Sequence, residues 1–230
     1  TPARWEEVTE RQVLGIVPFL LSARTPEALV KVLRILMGSD AKLLRLMQPE
    51  QVYALADTVS WMWAVRMDHP VVKKFKLRYQ GLNRSFHLPD AKLENATCIE
   101  WLLADEYFLA FKSGGDVADL HRMMAALCRE PDADRTAAAT RDDVRVVLRS
   151  RTEVERRASL MAKADERVKL FVLAFFSACK EWVYKTYKPW LFEDPDELED
   201  GEEAEDRPKT ILDKLGWYGM FQRVAEAGIF

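Results

Sequence analysis

The stretch Glu193–Asp206 holds ten carboxylates in fourteen residues and contains no Lys or Arg. Like charge at this density repels itself, and the run lacks the apolar surface needed to offset the entropy of ordering. It therefore bounds what can fold. A packed body is expected over residues 1–192, with a possible sub-boundary near 67–90. An acidic flexible linker is expected over 193–206 and a separate aromatic segment over 207–230. A sharper reading has the run lie against a basic surface or imitate a nucleic-acid backbone, a contact that salt would screen within about 10 Å at 0.1 M.

Charge bookkeeping makes the division quantitative. Of the 37 Asp and Glu, ten are in the run and two, Asp213 and Glu226, follow it, whereas 30 of the 34 Lys and Arg precede it. Residues 1–192 therefore carry about +5 and residues 207–230 about +2, and the run alone makes the total −3. The acidic pI of 5.8 conceals a basic body.

A chain of 230 residues, 49% hydrophobic, with seven Trp and only nine Gly, suits a helical globular protein with large aromatics to bury. Three widely separated cysteines, Cys98, Cys128 and Cys179, form no C-x-x-C, which argues against a disulfide framework or a zinc ribbon. The uncharged apolar run Leu170–Cys179 is ten residues, about half of what a bilayer span requires. The expectation is a soluble cytoplasmic protein with no membrane partner. Without an initiator Met and with an apolar end at Phe230, the chain reads as a piece of a longer protein, its C-terminal segment truncated.

Helical spacing recurs along the body. Val13, Leu14, Val17, Leu20 and Leu21 predict a helix within 5–24 that Pro18 should kink or divide. Thr25-Pro26-Glu27 predicts a capped start for a helix over 26–37 that stops at Gly38. Helices are predicted at about 40–47, 50–66, 97–112 and 116–129, with Gly114-Gly115-Asp116 ending one and capping the next. Thr152-Glu153-Val154-Glu155 fits a capping box opening a helix to about Ala162, and 165–188 reads as a central core helix ended by Pro189. Residues 74–88 alternate instead: Phe75, Leu77 and Tyr79 fall on one face and Lys74, Lys76 and Arg78 on the other, with a turn in Gln80–Asn83. The fold class expected is mainly α, a bundle-like body with one β-hairpin, followed by the acidic linker and a C-terminal helical segment.

No sequence feature carries enzyme chemistry. His69, His87 and His121 lack metal-ligand spacing, and no nucleotide or nucleophile motif occurs, so neither a catalytic residue nor a metal or cofactor site is expected. The carboxylate pairs Asp105/Glu106 and Asp142/Asp143 read as solvated ion pairs. Two features bear on recognition. Lys73, Lys74, Lys76 and Arg78 make a basic hairpin face that could contact phosphates, although alternation sends the neighbouring aromatics to the other face. Arg145, Arg149, Arg151, Arg156 and Arg157 make a second basic region. The stronger recognition candidate is 210–230, where Leu215, Trp217, Tyr218, Met220 and Phe221 lie on or near a helical apolar stripe able to fill a groove on the body or dock into a partner.

Phe86-His87-Leu88-Pro89, Ala126-Leu127-Cys128-Arg129-Glu130-Pro131 and Leu215-Gly216-Trp217-Tyr218-Gly219-Met220 together resemble a family of uncharacterised prophage proteins encoded near tail genes. The likeness covers about 75–230. It implies a bacterial host cytoplasm and a phage-tail accessory role, such as a tail-assembly chaperone that shields the apolar helices of a tape-measure protein. The expectation is thus a non-enzymatic interaction protein. The alternative is nucleic-acid binding by the basic body, with the acidic run as an internal competitor.

Overall fold

A computed structural model describes residues 2, 4–64, 67–132 and 143–191. It is mainly helical with one two-stranded antiparallel hairpin. The chain forms two units, Thr1–Cys179 and Lys180–Phe230, with the boundary inside the last described helix. The acidic run and the aromatic segment lie outside the described residues.

After a 3-10 turn at Trp5–Glu7, helix α1 (Glu10–Leu20) begins at Thr9, which exchanges hydrogen bonds with Gln12 in a capping box. Pro18 is accommodated within it: so near the C-terminal end, a proline forfeits one backbone bond, to Leu14, without dividing the helix. Helix α2 (Pro26–Met37) starts as predicted, the Ala28 N–H donating to Thr25 Oγ1 at 3.2 Å with Pro26 in the first turn. The expected helix near 40–47 is a 3-10 helix over Gly38–Leu46, and the expected helix over 50–66 is interrupted. Helix α3 (Pro49–Asp57) ends where the Thr58 hydroxyl donates to Leu55 O at 2.6 Å, and a turn separates it from the single-turn α4 (Trp61–Ala64). Thr58 competes for the helical carbonyl there.

Strands β1 (Lys74–Tyr79) and β2 (Leu82–His87) pair in register from Lys74 opposite His87 to Tyr79 opposite Leu82. The loop is therefore two residues, not four. Gln80 and Gly81 both have positive φ, +49° and +78°, as a type I′ turn demands. Phe75 and Phe86 face each other across the ladder, their rings stacked at 5.7 Å, and with Leu77 they form the buried side. The hairpin is extended by backbone bonds of His87 with Arg129, and Glu130–Asp132 bonds in turn to Val144 and Val146.

Helix α5 (Cys98–Gly114) ends at Gly115, whose φ of +71° suits glycine, and Asp116 caps α6 (Val117–Leu127) by accepting from Ala118 N–H at 2.9 Å. Helix α7 (Arg151–Met161) starts two residues earlier than the capping-box pattern implies. Its cap position is Ser150, and Glu153 reaches back to Arg149 N–H at 3.4 Å. Helix α8 (Glu166–Leu191) runs past Pro189, only two residues before its end, where one forfeited backbone bond does not stop it. Helix α1 packs on α2, α2 on α3, α5 on α6, and α6 on α7. Phe171, Val172, Phe175 and Phe176 of α8 are fully buried, and Phe176 meets Trp101 and Phe108 of α5 at 5.4 Å. Burial of each such side chain contributes about 1.5–3 kcal/mol. No described helix is long and apolar enough to cross a membrane.

Candidate functional site

The largest departure from the sequence reading is a buried charge cluster. Glu100 sits in the first turn of α5 with no exposed surface; Arg129 follows α6, and Arg145 lies beyond residues 133–142, each about 1% exposed. Glu100 Oε1 is 2.5 Å from Arg129 Nη2, and its Oε2 is 3.3 Å from Arg145 Nη2. Arg145 also donates to both Asp143 oxygens, at 2.9 and 3.0 Å, to Leu127 O at 2.9 Å and to Asn95 O at 3.0 Å. Arg129 Nη1 donates to Val146 O. Neither Asp143 nor Asp105, which is 2% exposed on α5, is thus a solvated carboxylate, and Arg145 and Arg157 leave the second basic region for the interior. Arg149, Arg151 and Arg156 remain exposed; Asp142 is outside the described residues.

The electrostatics follow from burial. Desolvation pushes the Glu100 carboxyl up, against the pull of Arg129, Arg145 and the Thr97 hydroxyl. Desolvation also brings the Arg129 guanidinium down to about 10, with Glu100 opposing it. Burial likewise works against the Asp143 carboxylate, but hydrogen bonds from the Arg145 side chain and backbone hold it below the usual range. The Glu100 and Asp143 oxygens already face guanidinium groups, so the cluster offers no base to a substrate. It ties α5, the segment after α6, and the approach to α7 together. Such a cluster adds little over apolar residues of equal volume, yet breaking it in half costs about 3–5 kcal/mol.

The basic hairpin face is where alternation placed it. Lys73, Lys74, Lys76 and Arg78 are all exposed, opposite the buried Phe75 and Leu77. The aromatics beside them are engaged: Phe75 stacks on Phe86, and the Tyr79 ring lies near both Arg84 (5.3 Å) and Lys163 (4.9 Å). His87 beside this face is half-buried, its pKa lowered by desolvation and then by Lys74. Leu215, Trp217, Tyr218, Met220 and Phe221 lie outside the described residues. No group of three or more His, Cys, Asp or Glu able to hold a metal occurs among the described residues.

A feature the sequence did not flag is a groove of about 880 Å³ that runs along α1 and is bordered by the end of α2 and the start of α8. Gly15, Pro18, Phe19 and Ile35 give it an apolar lining, and a Cβ at Gly15 would come within 3.2 Å of Ile35, so α1 and α2 approach closely there. Arg11, Arg34 and Arg167 line the same groove, all exposed, and no Asp or Glu lines it. The acids next to Arg167 in sequence have other work. Asp165 Oδ1 accepts from the Arg167 backbone N–H at 2.8 Å, and Glu166 lies 3.5 Å from Lys169 Nζ. Thr9 and Gln12 are committed to the α1 cap, and Gln12 Nε2 also donates to Leu36 O at 2.9 Å. The groove therefore presents cationic donors above an apolar surface. Elsewhere, Leu43 and Leu46 stand three apart on the 3-10 helix, hence on one side of it, and are 55% and 83% exposed.

Comparison of the chain with protein-family models, with curated proteins and with solved structures finds no match.

Proposed function

We propose that this chain is a non-enzymatic helical interaction protein that acts as a phage tail-assembly factor, holding apolar segments of a tape-measure protein before they assemble. The observation that carries the interaction reading is the groove, where an apolar lining and three arginines without a carboxylate partner among the described residues lie side by side. Exposed Leu43 and Leu46 add apolar surface of the kind that marks partner contacts. The tail assignment rests on the family resemblance alone. The nucleic-acid alternative is the weaker one, because Phe75 and Tyr79 are already engaged and base stacking has no free ring on the hairpin.

Co-expression tests this directly. A tape-measure protein encoded beside this chain should stay soluble and co-purify when both are produced together. Precipitation of the tape-measure protein to the same extent with and without the chain would exclude the chaperone role.

A further inference from the structure

We infer that the groove between α1, α2 and α8 recognises an acidic, apolar-anchored polypeptide segment. The inference rests on the interaction-protein reading and names the partner chemistry. Arg11 and Arg167 lie in the first turns of α1 and α8, where the helix dipoles add positive field, and Arg34 lies in the last turn of α2. Three exposed arginines from three helices thus border one depression. Their planar forks match carboxylates and, being weakly hydrated, lose less on contact than ammonium groups would. Between them, Pro18, the ring of Phe19 and the branched side chain of Ile35, which packs close over Gly15, offer an apolar surface for a leucine- or phenylalanine-sized side chain.

This pairing of features selects among anions. A phosphate backbone would use the arginines but leave the apolar lining against water. A purely apolar helix would cover the lining but leave unpaired cations at its edge. A segment with one apolar face and flanking Asp or Glu satisfies both, in the helix-in-groove manner. Salt should weaken the contact, since the guanidinium groups are exposed.

The test uses the whole chain and a fluorescein-labelled synthetic helix of about 18 residues. Its Leu residues fall at i, i+3, i+4 and i+7 spacing, and Glu occupies most other positions. Fluorescence anisotropy should show saturable binding, weakened about two- to fivefold by each of Arg11→Gln, Arg34→Gln and Arg167→Gln. The triple variant R11E/R34E/R167E should not bind, while its circular dichroism and melting temperature match those of the parent, because all three side chains are exposed. Peptides with Lys for Glu, or Ser for Leu, should not bind either. Undiminished binding by the triple variant, or equal binding of the Lys peptide, overturns the inference. Tighter binding of a labelled single-stranded oligonucleotide through the same arginines also overturns it and makes the groove a phosphate site. The two proposals fail separately. Co-purification of a tape-measure protein with the triple variant would sink the groove and spare the assembly role; peptide binding without tape-measure binding would do the reverse.

Discussion

Replacing Arg145 by Met should destabilise the body by about 4 kcal/mol or more. The side chain is about 1% exposed and bonds to Asp143, Leu127 O, Asn95 O and Glu100. Methionine fills much of the volume but supplies no donor. Removing one partner of a buried ion pair costs about 3–5 kcal/mol, and each buried carbonyl left without its donor adds about 1–3 kcal/mol, less than additively. In a domain of this size that amounts to a fall in Tm of about 8–16 °C. Urea and thermal melts followed by Trp fluorescence and circular dichroism measure it, with Arg149→Met as the exposed control, expected within about 0.5 kcal/mol of the parent. The variant should also acquire a pH signature. Glu100 already has its carboxyl raised by burial, and loss of Arg145 raises it further. A group raised in the folded state favours folding below its unfolded pKa, about 4.3, and that benefit is lost as pH rises through the folded value. The deficit of Arg145→Met should therefore be smaller at pH 5 than at pH 7.5. A change below about 1 kcal/mol, no larger than that of Arg149→Met, would refute the view that this cluster joins the segments around it.

Further outcomes follow from the same structure. Asp143 is held below the usual carboxylate range, so its contribution is present above its unfolded pKa, about 3.9, and is lost as pH falls through the folded value. Urea melts should accordingly show the gap between wild type and Asp143→Asn closing as pH drops from 7 to 3. Gln80 occupies a positive-φ turn position that Asn tolerates better, so Gln80→Asn should raise stability by about 0.5–1 kcal/mol in thermal melts. Of three cysteines, Cys98 is exposed, whereas burial pushes Cys128 up to about 12 and raises Cys179 as well. A thiol reagent should titrate one cysteine quickly in the native protein and all three in urea; rapid reaction of all three without denaturant would show the core to be open.

Local signals in the sequence were the legible ones. Thr25-Pro26-Glu27, Gly115-Asp116 and the alternation around Phe75 each specify backbone geometry within a few residues, and each reads correctly. The S/T-x-x-E pattern does not open a helix at Thr152; at Thr97-Cys98-Ile99-Glu100 it coincides with the start of α5, but there the Thr97 hydroxyl donates to Glu100 at 2.9 Å instead of capping the helix. There the same glutamate also meets two arginines, a fact no local pattern contains. A signal was present: Glu100 shares a helical stripe with Ala104, Tyr107 and Phe108, all buried, and a carboxylate on such a stripe needs a cation. Which cation it meets depends on the tertiary path that returns Arg129 and Arg145 to α5. The groove was illegible for the same reason. Arg11, Arg34 and Arg167 sit on different helices, and only helix packing makes them neighbours. Pro18 does not divide α1 and Pro189 does not end α8, because a proline near the end of a helix forfeits a single bond.

The central claim is that this chain binds protein. Isothermal titration of this chain with a purified segment of a phage tail tape-measure protein, the partner proposed above, tests that most directly. Saturable binding with a Kd of about 1 μM or tighter, or roughly −8 kcal/mol, is the predicted result. Absence of heat and of co-elution on gel filtration, at about 100 μM of each component, would contradict it.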